Sequence, residues 1–299
     1  MQTVWANPIL LLVITTLVWG AHSVVGRVAV GQIGPMTLVT LRWAVALIPI
    51  FLTARPSLRQ DWPALRARWV YLAIMGASGF TAFNALFYVA AHHTSALNLS
   101  IIQGAVPALV LLGARVFLGV RFSALQALGA LVTMIGVGVI AAQGDPARLA
   151  ALAFNSGDVM MVVGVVLYAG YTIGLRQRPH VSQVSMLAAM AVAAFVTSVP
   201  LMIWEIGSGG FIWPTWGGLL VLAFVALGPA FVSQLMYMRG VELIGPGRAG
   251  VFVNLVPVFG AIMAVVILGE PFAVYHVLAL LLVVGGIAIA QRGTSGPQR

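Results

Sequence analysis

The stretch FVNLVPVFGAIMAVVILGEPF, residues 252–272, is apolar enough to cross a bilayer, yet it carries an amide, Asn254, and a helix breaker, Pro257, and closes on Gly269-Glu270-Pro271. A second stretch, IQGAVPALVLLGARVFLGVRF, residues 102–122, lies 150 positions earlier and matches it at seven of 21 positions. Shared Val, Leu and Ala carry little information in an apolar chain. The informative matches are Pro107 with Pro257, Gly119 with Gly269 and Phe122 with Phe272, and Gly136 with Gly286 extends the register. Nearer the N-terminus the displacement is 149: Trp19 faces Tyr168, His22 faces Tyr171, Ser23 faces Thr172, Arg27 faces Arg176, Asn84 faces Ser233 and Tyr88 faces Tyr237. The chain therefore reads as two copies of one unit, residues 1–146 and 147–299.

Composition says what kind of unit this is. The 299 residues are 61% hydrophobic and only 7% charged, with mean hydropathy +1.06; soluble domains run near a quarter charged. A spanning helix needs ~20 apolar residues. Apolar runs bounded by Gly, Pro and charge predict all-α spans at 8–30, 35–54, 69–91, 97–118, 122–142, 157–176, 182–205, 215–238, 248–269 and 272–291. The first lacks a basic leader and a small-residue cleavage site, so it reads as a retained helix. All 15 basic residues are Arg. With the N-terminus cytoplasmic, twelve of them (Arg55, Arg59, Arg66, Arg68, Arg115, Arg121, Arg176, Arg178, Arg239, Arg248, Arg292 and Arg299) fall on the cytoplasmic side. Arg27 and Arg148 fall outside, and Arg42 lies within a span. That bias is the one cytoplasmic loops show; the net charge of +9 is a topology signal and not a nucleic-acid footprint. Ten spans with both termini inside make each copy five helices. An odd number sends the second copy in from the opposite side, an inverted repeat of the kind secondary transporters use for alternating access.

The residues that interrupt apolar spans are the candidates for chemistry. An interior proline lacks an N–H and clashes with the carbonyl four residues back. Pro107 and Pro257 are therefore expected to kink their helices and free the carbonyls of Gln103 and Val253, beside the amides of Gln103 and Asn254; Pro229 is a further expected kink. Irregular polar backbone at that depth is tolerated where it lines a cavity. Trp19 and His22 are three apart, as are Tyr168 and Tyr171, so each pair shares a helix face. Asn84 and Tyr88 are four apart, as are Ser233 and Tyr237, with Gln234 adjacent. Such stripes suit a pocket that stacks on an apolar body and fixes a polar end with few hydrogen bonds. They equally suit interhelical packing. The ordinary titration range of histidine would suit His22 to proton relay; a neutral, hydrogen-bonded imidazole is the alternative.

Arg42 is expensive within a span and needs a partner. Asp158 and Glu270, at span ends on the predicted outer side, are candidate gate or ion-pair residues for it; a substrate carboxylate is the alternative. No carboxylate stands at mid-span, so coupling to an ion is unsupported. The chain has no Cys, which removes disulfides, thiolate metal sites and Cys nucleophiles. It has no His-Glu-x-x-His, Gly-x-Ser-x-Gly or phosphate-loop motif. No enzyme, cofactor or metal site is expected.

Four motifs carry a family resemblance: LVWGAHSVVGR (17–27), GPMTLVTLRW (34–43), SGDVMMVVGVVLYAGYT (156–172) and NLVPVFGAIMAVVILGEPF (254–272). In order, spacing and duplication they resemble the drug/metabolite transporter superfamily, in its ten-helix branch with paired EamA-type repeats, over about residues 8–291. One departure is plain: Val120-Arg121 stand where the second copy has Glu270-Pro271, so whatever the glutamate does is done once. The resemblance implies a multi-pass carrier in a bacterial inner membrane that exports small metabolites, amino acids in the first place, through a pocket between the halves. Its partners would be a small-molecule substrate and the lipid bilayer, with no nucleic acid; a monomer is compatible with this. A drug or other metabolite carrier on the same fold is the alternative, with a passive channel or a membrane-embedded enzyme behind it.

Overall fold

Helix starts in this chain are marked by residues that satisfy free N–H groups. Asn7 accepts from the Ile9 and Leu10 amides, Ser95 from Asn98, Ser123 from Gln126, Asn155 from Gly157 and Asp158, Ser182 from Ser185 and Thr215 from Gly218. Short polar side chains at such positions compete for backbone donors and so open helices. The computed structural model describes residues 5–119, 123–145, 147, 155–244, 249 and 252–292. Among the described residues the regular structure is entirely helical: α1 (Pro8–Val28), α2 (Pro35–Ala67), α3 (Trp69–Ala90), α4 (Ala96–Leu118), α5 (Ala124–Ala141), α6 (Ser156–Gly174), α7 (Gln183–Gly207), α8 (Trp216–Ile244), α9 (Leu255–Leu268) and α10 (Val274–Arg292). Eight of these are long and apolar enough to cross a membrane; α5 and α9 are shorter apolar helices. Val120, Arg121, Phe122, Arg148, Arg248 and Arg299, which the repeat and topology arguments use, lie outside the described residues.

The outer faces suit lipid. Ile48, Leu52, Val116, Phe117, Leu220, Val266 and Leu281 point away from the protein. Exposed Trp62 and Trp69 stand at one end of the bundle, where α2 meets α3. Trp204, Trp213 and Trp216 stand at the other, where α7 meets α8. Tryptophan collects at membrane–water interfaces because its ring is apolar and its N–H is not. This is a multi-pass membrane protein.

Two expectations are corrected. The connection predicted after residue 54 is helical: α2 runs on to Ala67 through Pro49, Pro56 and Pro63. The extension docks on the start of α7, where the Ser182 amide donates to Asp61 at 3.1 Å and Ser185 donates to Ser57 at 3.0 Å. Pro107 and Pro257 do not kink continuous helices either. α4 is interrupted at Gly104–Ala105 and restarts at Val106, so Pro107 sits in a first turn. Pro257 sits in the first turn of α9. First-turn N–H groups have no partner within the helix, so proline costs little there. The Val253 carbonyl is not freed, since the Val256 amide donates to it at 3.1 Å. Pro229 lies in a widened π-turn, Gly228–Val232, and α3 has its own over Gly76–Ala82.

Packing pairs α2 with α7, α5 with α10 and α4 with α9. α1 lies on α8 and α9, and α6 lies on α3 and α4. The α1–α9 crossing is tight enough that a Cβ on Gly20 would stand 2.8 Å from the Gly260 amide. At the end where α2, α4 and α6 begin, three carboxylates stitch the bundle. Glu205, on α7, accepts from the Met36 and Thr37 amides, both at 2.9 Å, and from the Thr37 hydroxyl at 2.6 Å. Glu270, just past α9, accepts from the Ala96 and Leu97 amides at 2.8 and 2.9 Å. Asp158, in the first turn of α6, accepts from the Thr94 hydroxyl at 2.5 Å and the Asn98 amide at 3.2 Å.

Carboxylates at helix N-termini stabilise both by charge-assisted bonds and by the helix dipole. Glu205→Ala is expected to cost about 1–3 kcal/mol, since it orphans two buried N–H groups, measurable as a lower unfolding midpoint in detergent. Gly20→Val is expected to cost about 1–3 kcal/mol by forcing α1 from α9, whereas the same change at Gly170, which has open space around it, should be nearly silent.

Candidate functional site

Where the broken helices meet, the bundle holds a cavity of about 140 Å³. Gly104, Val106 and Pro107 face it from the α4 break; Val253, Asn254, Val256 and Pro257 face it from the start of α9. The two π-turns also reach it, through Gly79 and Phe80 and through Pro229 and Ala230. A π-turn admits one extra residue and widens the helix, which opens room and loosens carbonyls. Asn84 Nδ2 takes one of these, donating to the Phe80 carbonyl at 2.6 Å.

One side is polar and hydrogen-bonded. Arg42, buried on α2, donates through Nη1 to Asn84 Oδ1, to the Tyr88 hydroxyl at 3.2 Å and to His22 Nε2 at 3.4 Å. His22 Nε2 and the Tyr88 hydroxyl are 2.8 Å apart. A guanidinium has only donors, so Nε2 is an acceptor and the imidazole proton lies on Nδ1; Tyr88 donates to the single Nε2 lone pair, and the two N–H groups of Nη1 serve Asn84 and Tyr88, which leaves the 3.4 Å approach to Nε2 as the weaker contact. Gln103 Nε2 donates to Ser23 Oγ at 2.9 Å and to the Leu99 carbonyl at 3.2 Å. The other side is aromatic. Trp43 stacks on Phe80 at 4.7 Å, Phe83 leans on Tyr168 at 4.9 Å, and Trp19 meets Tyr237 at 5.3 Å. Three buried polar atoms of wall residues lack a hydrogen-bond partner: Arg42 Nε, Trp43 Nε1 and Asn254 Oδ1.

Of the residues singled out in the sequence, Trp19, His22, Asn84, Gln103, Tyr168, Gln234 and Asn254 line the cavity, as do Pro107, Pro229, Pro257 and Arg42. Tyr88, Tyr171 and Tyr237 stand behind the wall: Tyr88 under His22 and Arg42, Tyr171 against Phe80 and Tyr168, Tyr237 against Trp19. Arg42 pairs with neither Asp158 nor Glu270; both carboxylates are engaged at the helix ends described above. Trp43, Phe80 and Phe83 line the cavity and escaped the sequence reading. Their signal was present, since Phe80 and Phe83 precede Asn84 on α3 and Trp43 follows Arg42. In an apolar chain, however, an aromatic residue facing a cavity looks like one facing lipid.

A model of the EamA-like transporter family matches residues 6–142 and, again, residues 155–291. The chain belongs to the EamA-like transporter family. The two matches are displaced by 149 residues, the register that aligns Trp19 with Tyr168. The uncharacterized transporter YyaM of Bacillus subtilis (strain 168) is 28% identical over 284 residues, covering 91% of this chain and 89% of that protein. A Streptantibioticus cattleyicolor protein named "Probable terminal-alkyne amino-acid exporter" is 27% identical over 301 residues, covering 100% of this chain and 96% of its own. A solved crystal structure superposes with a TM-score of 0.65 at 18% identity, over 95% of this chain and 96% of that one, which speaks to the fold alone.

In this EamA-family protein Tyr88 joins the imidazole to the guanidinium. Tyr88→Phe keeps the ring and removes the hydroxyl, so it is expected to cost about 1 kcal/mol of stability and to free His22. Nitrogen-15 shifts of His22 read that change directly; unchanged shifts would mean that the hydroxyl does not hold the ring.

Proposed function

We propose that this EamA-family protein is a ten-span carrier in a bacterial inner membrane that exports small metabolites, aromatic or other neutral amino acids in the first place, by alternating access. The observation that carries the reading is the cavity: polar side chains of residues 1–146 and of residues 147–299 converge on one space at the broken helices. Arg42, Asn84 and Gln103 come from the first half, and Tyr168, Gln234 and Asn254 from the second.

Several features support two inverted five-helix units. The family model matches twice at one displacement. A π-turn ends two residues before Asn84 in one half and directly before its counterpart Ser233 in the other. α4 and α9 both end on a left-handed glycine, Gly119 at φ 65° and Gly269 at φ 66°. α1 packs on α8 and α9 as α6 packs on α3 and α4, the pattern that exchange of the halves produces. Such a pair can swap conformations, so that a site between them faces one side and then the other. The relative named as an amino-acid exporter supports the choice of cargo and direction. Against a carrier of cationic drugs stands the positive charge of Arg42 in the wall. Against a channel stands the aromatic lining, where conduction asks for a continuous polar path.

Purified protein in liposomes preloaded with unlabelled neutral amino acids is expected to take up the labelled compound by saturable counterflow and to return it chemically unchanged. Gln103→Ala should lower that exchange about tenfold, the loss of one or two buried hydrogen bonds. If no solute exchanges under any gradient, the carrier reading fails.

A further inference from the structure

Among the described residues Arg42 has no counter-ion. The sequence contains six carboxylates, and each is engaged elsewhere. Asp61 holds Ser182, Asp145 accepts from the Ala147 amide, and Asp158 holds Thr94 and Asn98. Glu205 and Glu270 cap α2 and α4, and Glu242 pairs with Arg239 at 3.1 Å. The hydrogen-bond partners of the Arg42 guanidinium (Asn84, Tyr88 and His22) are neutral, and its remaining contact is the face of the Trp43 ring, 5.2 Å from Cζ, which attracts the cation but carries no net charge. The side chain is only 5% exposed, and its Nε has no partner at all.

The rest of the wall supplies no counter-charge. No Asp or Glu lines the cavity. Leu255–Leu268 starts at it, and a helix start carries roughly half a positive charge; Val106–Leu118 starts there too, but the end of Ala96–Gln103 at the same break offsets its dipole. Trp43 Nε1, on the same wall and 2% exposed overall, is a second donor without an acceptor. A buried cation left uncompensated is among the more costly features a fold can carry. Half-helix starts facing a midplane site recur in transporters where the cargo is an anion.

We propose that the missing counter-ion is the carboxylate of the transported molecule, and that the cavity selects monocarboxylates with an apolar or aromatic body, with the α-amino group dispensable. The inference rests on the carrier reading above and narrows it. The carboxylate would sit on Arg42, and the apolar body against Trp43, Phe80, Phe83 and Tyr168. An ammonium group finds amide oxygens, Asn254 Oδ1 among them, but no carboxylate. Amino acids are then one subset of the cargo; the matching 2-oxo and 2-hydroxy acids are others. Amines and amides of the same shape are excluded, because they leave Arg42 unpaired.

Competition in the counterflow assay tests this with compounds sharing one side chain: phenylalanine, 3-phenyllactate, phenylpyruvate, phenylalaninamide and phenethylamine, alongside the leucine series. The three acids are expected to compete within about threefold of one another, and the amide and amine at least about tenfold more weakly, the worth of one charge-assisted pair. Arg42→Gln should erase the acid-over-amide preference. Arg42→Lys, which keeps the charge and loses the planar fork, should retain the preference with weaker binding. Equal competition by acid and amide overturns the inference while leaving the carrier reading intact. So does an acid preference that survives Arg42→Gln. The acid–amide comparison on the unaltered protein needs no variant, so a failure of Arg42→Gln to fold still leaves the result decisive. Counterflow of cationic or neutral solutes alone, with no carboxylate accepted, likewise refutes the inference and keeps the carrier.

Discussion

Hydrocarbon offers no partner to a polar group, so each N–H, carbonyl and charge in a membrane helix must be satisfied by the protein itself. The fold is organised around that constraint. At one end of the bundle, Glu205 and Glu270 supply acceptors to the starts of α2 and α4. Within the spans, hydroxyls fold back on their own helices: Thr16 donates to the Leu12 carbonyl and Ser100 to that of Ala96. Apolar packing fills the remainder. The constraint is relaxed in the cavity wall, where Arg42 Nε, Trp43 Nε1 and Asn254 Oδ1 stand without partners. Asn98 Oδ1, Ser233 Oγ and Arg239 Nε are also without partners, but they are scattered, whereas the other three share one wall.

Much of the fold was legible because lipid imposes a simple code. Runs of ~20 apolar residues give the spans, and the Trp19–Tyr168 alignment gives the 149-residue displacement at which the family model matches twice. What stayed illegible depends on contacts between distant residues. The run from Arg55 to Ala67 looks like a polar connection, with three arginines and two prolines. It is helical because Asp61 and Ser57 find Ser182 and Ser185 on α7. Pro107 and Pro257 were visible as disruptions. Whether a proline kinks a helix or starts one depends on whether the preceding turn continues, and Gly104 and Asn254 end it here. The partner of Arg42 was sought among the acids because charge pairs with charge. The structure pairs it with Asn84, 42 residues away, and the amide alone gave no sign of that.

The two halves divide the work unequally. His22, Arg42, Asn84 and Tyr88, all from the first half, form one connected hydrogen-bonded cluster. Their counterparts in the second half include Tyr171, Ser233 and Tyr237, which serve as packing: Tyr171 lies against Phe80 and Tyr168, Tyr237 lies on Trp19, and Ser233 Oγ is buried without a partner. Duplication thus supplied a symmetric scaffold, and substitution placed the charge on one side and aromatic surface on the other. Glu270 follows the same rule at the helix ends, with Val120-Arg121 at its counterpart.

The two π-turns have a bearing on how such a protein can change over time. Each sits partway along its helix, between a lipid-facing or interhelical segment and a cavity-facing one. A single α-helical residue corresponds to about 100° of rotation. Loss of one residue within 76–82 would let the turn relax to α-helical geometry, and gain of one would widen it further. Either change is absorbed within the turn, so the helix ends keep their docking while the turn's own side chains, Gly79 and Phe80 among them, are re-aimed. The wide turns therefore work as splice points: lengths of chain where an insertion or deletion alters which face meets the cargo without dismantling the bundle, a route to new specificities that a strictly regular helix does not offer.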